Sequence, residues 1–132
     1  FLAAVVAAVG DGEVADALRS VSDLVESDER PSPTAVAART GTGVAAVESV
    51  PAAIAASLAW PDSFVETVRY AISLGGDTDT IASMAAAVAG ARLGEDAVPA
   101  RWRERTEAAP LLVELADRFA EGTGAPRAVP AG

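Results

Sequence analysis

The residues best equipped for chemistry lie in SLGGDTDTIASM, residues 73–84, where Asp77, Asp79 and Thr80 put two carboxylates and a hydroxyl within four positions. Such a set offers oxygen alone, the donor type that magnesium, manganese and calcium take in preference to softer metals. Gly75 and Gly76 stand directly before it and let the chain leave one helix and turn sharply into the next, which brings the acids together. The plainer reading of a bare D-x-D-T is a cap, because Asp and Thr are ordinary at a helix start and the helix dipole favours acid there with no metal present. Other chemistries are closed to this chain. It has no lysine, histidine or cysteine, so it cannot supply a Schiff base, a serine–histidine relay, a zinc–thiolate site or a P-loop lysine.

A loop of this kind needs helices on both sides to hold it. Upstream, Asp62 or Ser63 begins a helix after Trp60-Pro61, with Ser63 and Glu66 at capping-box spacing. Phe64, Val68, Ala71 and Ile72 form its inward stripe, and Glu66 and Arg69 face out. Downstream, residues 80–93 form a helix rich in small side chains, which lets it sit tightly among others before Gly94 stops it. Val98-Pro99 then leads into a short helix carrying Trp102. Arginines alternate around that residue at Arg101, Arg103 and Arg105, a pattern read as one core tryptophan with solvated neighbours rather than a nucleic-acid platform.

The wider string fixes a resemblance. GTGVAAVESVPAAI at residues 41–54, SLGGDTDTIASMAAAVAGARLG at 73–94 and VPARW at 98–102 together resemble the magnesium-dependent ADP-ribosylglycohydrolases, the ADP-ribosyl-acceptor hydrolase family. The motifs cover about half of the chain, and the order of elements covers most of it. The resemblance implies an all-α fold, a compact multi-helix orthogonal bundle of which these residues form the C-terminal part. It also implies two magnesium ions, manganese being an alternative, held partly by Asp77, Asp79 and Thr80, with Asp79 between the ions. The remaining Thr-Asp-Asp ligands and the acid–base residue belong, by the same comparison, to an N-terminal half that these residues do not include. Gly43, Val44 and Ser49 inherit a substrate-contact assignment against ADP-ribose, which suits a G-x-G that permits close backbone approach. The implied reaction is hydrolysis of the bond between the distal ribose of ADP-ribose and a protein side chain or O-acetyl group. The motif is most similar to members acting on serine-linked and O-acetyl substrates.

Two other classes stay open at this stage. A D-x-D-T string also resembles haloacid-dehalogenase-type phosphatases, with VRYAISL as the strand leading to the first Asp, although that chemistry wants a lysine to hold the phosphoryl charge. A family member that binds ADP-ribose without turnover is the non-enzymatic alternative. Glu48, beside a helix start, reads as electrostatic or capping and stays outside the catalytic set.

Composition agrees with a helical domain. Hydrophobic residues make up 51% of 132 positions, enough for a core, while aromatics are only 5%, which favours packed alanine-rich helices over a sheet. The net charge of -9 leaves no basic stripe for nucleic acid. The apolar opening FLAAVVAAVG is too short to span a bilayer and lacks the basic flank of a signal peptide, so a cytoplasmic protein is expected. Starting at Phe1, without a methionine or a cap, the chain reads as the later part of a longer protein.

The remaining elements follow from period and punctuation. Leu2–Val9 reads as a helix ended by Gly10. Val14, Ala17, Leu18, Val21, Leu24 and Val25 mark the inward face of the next, with Asp16, Arg19, Ser20, Asp23 and Glu26 in water. Thr34 is expected to cap a short helix through Arg39. Ser49-Val50-Pro51 is expected to start another that runs to Ala59 with Ile54 and Leu58 on one face. Pro110 opens a last amphipathic helix with Leu111, Leu112, Leu115, Ala116 and Phe119 inward, ending at Gly122. The domain is thus read as residues 1–122, followed by a disordered tail at 123–132.

Overall fold

The computed structural model describes residues 1–27 and 30–123. Its described residues are helical throughout, with no strand among them: α1 (Leu2–Val9), α2 (Glu13–Ser27), α3 (Pro33–Thr40), α4 (Ala46–Ala59), α5 (Phe64–Ser73), α6 (Thr78–Leu93), a 3-10 turn (Glu95–Ala97), α7 (Ala100–Arg105) and α8 (Ala109–Thr123). Residues 68–73 of VRYAISL therefore lie in α5. The chain enters Asp77 from a helix, which removes the strand that the phosphatase reading requires.

α4 is the centre of the bundle, with α2, α3, α5 and α6 packed around it. Its residues 51–57 are buried without interruption, so it has no solvent face over two turns. Ala52, Ala53, Ala55, Ala56 and Ala59 make this possible, because a methyl-sized side chain lets neighbouring backbones approach on every side. Larger side chains fill the gaps from outside: Leu18 and Val21 of α2, Val36 of α3 and Ile81 of α6 are fully buried. α6 answers with its own small residues, burying Ala85 and Ala89 on the face that carries Ile81.

Polar ties fix the helices that border the site. Tyr70 of α5 donates its hydroxyl to the carbonyl of Pro31, and Thr67 donates to the carbonyl of Trp60 at 2.8 Å. Ser63 caps α5 by accepting from the N–H of Glu66 at 3.3 Å, the expected capping box in its first half. Trp102 packs edge-on against Phe64 with ring centroids 6.1 Å apart, joining α7 to α5. The arginines beside it are not all solvated neighbours, for Arg103 is half-buried and pairs with Glu95 at 2.7 Å.

Several expected boundaries move. Ser32, not Thr34, caps α3, because Pro33 takes the first helical position and the extended Ser32 accepts from the N–H of Ala35 at 3.2 Å. α4 begins at Ala46 rather than Ser49: the N–H groups of Glu48 and Ser49 both reach the carbonyl of Ala45, so a full turn precedes Pro51. α6 begins at Thr78, two residues before Thr80. Ile72 is 53% exposed rather than inward, its place in the core being taken by Tyr70 and Leu74 on either side.

The last helix departs most. Leu111, Leu112, Leu115 and Phe119 are exposed, Phe119 at 74%, although their spacing is that of an inward stripe. The period of three and four residues reports that a helix is amphipathic but not what covers it. Here α8 touches α7 lightly, and its apolar stripe is open. The helix runs through Thr123, one residue beyond Gly122 and into the tail expected at 123–132, whose remaining residues 124–132 lie outside the described residues.

Candidate metal centre

The turn from α5 into α6 is made by two consecutive glycines at positive φ, Gly75 at 78° and Gly76 at 68°. Both lie in the left-handed region that side chains resist, so the two together reverse the chain at little cost. They serve different needs. Gly75 faces open space, whereas a Cβ on Gly76 would run into the backbone carbonyl of Thr42. The second glycine therefore lets the loop at 75–77 lie directly on the 41–43 loop.

That contact is completed by a hydrogen bond. The N–H of Asp77 donates to the carbonyl of Thr42 at 2.8 Å. Asp77 then occupies the N-cap position of α6, yet its side chain makes no capping hydrogen bond. The Asp77 side chain, with the N–H groups of Thr80 and of Asp79 itself, holds the Asp79 carboxyl below its ordinary 3.8. Asp79 is exposed, and Asp77 and Thr80 are half-buried beside it. Two carboxylates and a hydroxyl thus share one helix start, a donor set of oxygen alone. No third carboxylate joins them, since the described residues contain no metal-holding cluster of three Asp, Glu, His or Cys.

The expected substrate residues lie next door but are not equivalent. Val44 is 83% exposed at the tip of the 41–43 loop. The N–H of Gly43 is occupied, donating to the Glu48 carboxylate at 2.7 Å. Ser49 is buried, and its hydroxyl donates back to the carbonyl of Ala45 at 3.2 Å. A cavity of about 420 Å³ does exist, but it lies between α7 and α8, lined in part by Val98, Arg103 and Leu112, and shares no residue with the loop at 75–80.

With this geometry in place, the sequence profile of the ADP-ribosylglycohydrolases matches residues 1–128. The chain belongs to the ADP-ribosylglycohydrolase family. Among similar proteins, ADP-ribosylhydrolase ARH3 of Bos taurus is 43% identical over 100 residues, 68% of this chain and 27% of that protein. ADP-ribosylhydrolase ARH3 of Homo sapiens is 49% identical over 82 residues, 54% of this chain and 23% of its own length. The protein of that name from Danio rerio is 42% identical over 89 residues, 60% and 24% respectively. The chain thus spans about a quarter of the length of the curated relatives it matches.

In this ADP-ribosylglycohydrolase chain, sequence reasoning missed Thr42. It acts through a backbone carbonyl, which any residue carries, so its identity gave no signal. The signal that existed was the second glycine, which is superfluous for a simple reversal and necessary for a close approach. No helix of the described residues is long and apolar enough to cross a membrane.

Proposed function

We propose that this chain supplies part of the divalent-cation site of an ADP-ribosylhydrolase. In the full-length protein Asp77, Asp79 and Thr80 hold magnesium, or manganese in its place, and the reaction is hydrolysis of the bond between the distal ribose of ADP-ribose and its acceptor. The observation that carries this reading is an aspartate at an N-cap that caps nothing. An acid present only for helix stability would spend its oxygens on the free N–H groups of the first turn. Asp77 leaves those groups uncapped with a second carboxylate, Asp79, two residues on, and two acids at one helix start repel once both ionise, which a cation relieves.

Magnesium bound there would hold the ribose hydroxyls and offset charge as the glycosidic bond breaks. The chain's own residues do the rest of what is assigned to it. Asp79, its carboxyl held below its ordinary value, presents a carboxylate, and Asp77 and Thr80 flank it. The 41–43 loop, with Val44 exposed at its tip, forms the adjoining wall against which ADP-ribose is placed. Two carboxylates cannot fill an octahedral shell, so further ligands come from residues outside this chain. The names of the curated relatives support the hydrolase reading, and serine-linked and O-acetyl ADP-ribose are the preferred substrates to test.

The test is release of ADP-ribose by the full-length protein from a serine-ADP-ribosylated peptide, with magnesium and after chelation. Magnesium-dependent release is the expected result. Tight binding of ADP-ribose with no release under either condition would replace the hydrolase by a non-catalytic ADP-ribose-binding protein.

A further inference from the structure

We propose that Glu48 is a positioning residue that sets the place of Asp77 by bracing the 41–43 loop from below. The proposal rests on the reading of Asp77 and Asp79 as cation ligands and adds to it a residue that touches neither of them. Glu48 sits in the first turn of α4, the most buried helix of the fold, so its backbone is fixed by the core. Its carboxylate accepts from the N–H of Gly43 at 2.7 Å. The loop is also wrapped closely around it. A Cβ on Gly41 would come within 2.5 Å of a Glu48 carboxylate oxygen, and one on Gly43 within 2.8 Å. Both glycines of G-T-G thus lie against the same glutamate, Gly41 also serving as the C-cap of α3 at φ 73°.

Between those two glycines stands Thr42, whose carbonyl receives the N–H of Asp77 at 2.8 Å. The order of contacts is continuous: the α4 core, the Glu48 carboxylate, Gly43, Thr42, Asp77. Asp77 has its backbone held at this point and its side chain uncommitted to the helix end, so the direction of its carboxylate depends on where Thr42 lies. Because the Thr42 carbonyl joins this loop to Asp77, a shift of the loop and cation affinity at the acids are coupled through Glu48.

The experiment compares Glu48→Ala and Glu48→Gln in the full-length protein by amide hydrogen exchange and by manganese titration followed by electron paramagnetic resonance. Loss of one charged hydrogen bond should speed exchange at the Asp77 N–H by about tenfold and weaken manganese binding by a similar factor in Glu48→Ala. Glu48→Gln keeps an oxygen that accepts from Gly43 and should stay within about twofold of wild type in both readouts. An Asp77 N–H as protected in Glu48→Ala as in wild type would overturn the proposal. So would a Glu48→Gln variant as impaired as Glu48→Ala, because charge and not placement would then be the cause. If Glu48→Ala unfolds, the glutamine variant and Glu48→Asp decide it: the shorter acid cannot reach Gly43 and should reproduce the faster exchange at Asp77. Asp79→Ala, run alongside, separates the two claims. Wild-type manganese affinity in that variant would sink the cation site itself, while exchange at Asp77 would still judge the bracing.

Discussion

The N–H of Asp77 and the carbonyl of Thr42, 35 positions apart in the chain, are joined by a 2.8 Å hydrogen bond that places the loop between α5 and α6 on the loop between α3 and α4. The two motifs are thereby one surface. The acids and the glycine-rich loop meet through backbone atoms, with Gly76 as the residue that permits the contact.

This arrangement makes the two glycines of the turn separable by experiment. Gly75→Ala suffers only the left-handed backbone, costing about 1 kcal/mol. Gly76→Ala adds a clash with the Thr42 carbonyl and should cost about 3 kcal/mol. Urea denaturation of both variants checks the order. Equal midpoints would mean that the loops do not touch in solution.

The acids should also differ. Asp79→Ala in the full-length protein is expected to lower kcat more than Asp77→Ala, because the proposed site shares Asp79 between two ions, and such a carboxylate is harder to replace with water than one serving a single ion. Thr80→Ala should be milder still, since a neutral hydroxyl contributes less to holding a cation. Steady-state rates at saturating magnesium give the ranking, and near-wild-type rates for both aspartate variants would remove the metal assignment.

Asp79 carries a signature that needs no metal. Its carboxyl is lowered first by the Asp77 side chain and then by the N–H groups of Thr80 and Asp79, so in a carbon-13 NMR titration it should ionise below 3.8. A depressed acid stabilises the fold above its unfolded pKa, and that contribution fades as pH falls through the folded value. Asp77→Ala should move the Asp79 midpoint upward, whereas Asp77→Asn, which keeps a donor, should leave it low. An unchanged midpoint in Asp77→Ala would show that the two side chains do not meet.

The open stripe of α8 predicts behaviour of the 132-residue chain by itself. Leu111, Leu112, Leu115 and Phe119 form an exposed apolar face, which favours self-association. Sedimentation velocity should show concentration-dependent species larger than a monomer, reduced by the double change Leu112→Glu and Phe119→Glu. A monomer at all concentrations would show that the face is not adhesive.

What the sequence made legible follows from the kind of signal each feature leaves. α1 and the inward stripe of α2 were readable because local period and glycine punctuation determine them. The all-helical class was implied by the family resemblance and favoured by the many alanines and few aromatics. The start of α4 was misread because Pro51 suits a first turn, and only the bonds to Ala45 show that a turn precedes it. The outward Ile72 and the open face of α8 depend on which partners stand nearby, and a helical period cannot supply that. At the candidate site, type and spacing singled out Asp77, Asp79 and Thr80, which the structure places at the start of α6. Thr42 meets Asp77 through backbone atoms 35 positions apart, and Glu48 accepts from the backbone of Gly43, contacts in which the identity of the backbone partner says little.

The account is tested most directly by manganese anomalous diffraction from crystals of the full-length protein with ADP-ribose bound. It predicts manganese peaks in contact with the Asp79 carboxylate, one of them shared with Asp77 and Thr80, beside density for the distal ribose. ADP-ribose bound at the 41–43 loop with no manganese peak at Asp77 or Asp79 would contradict it.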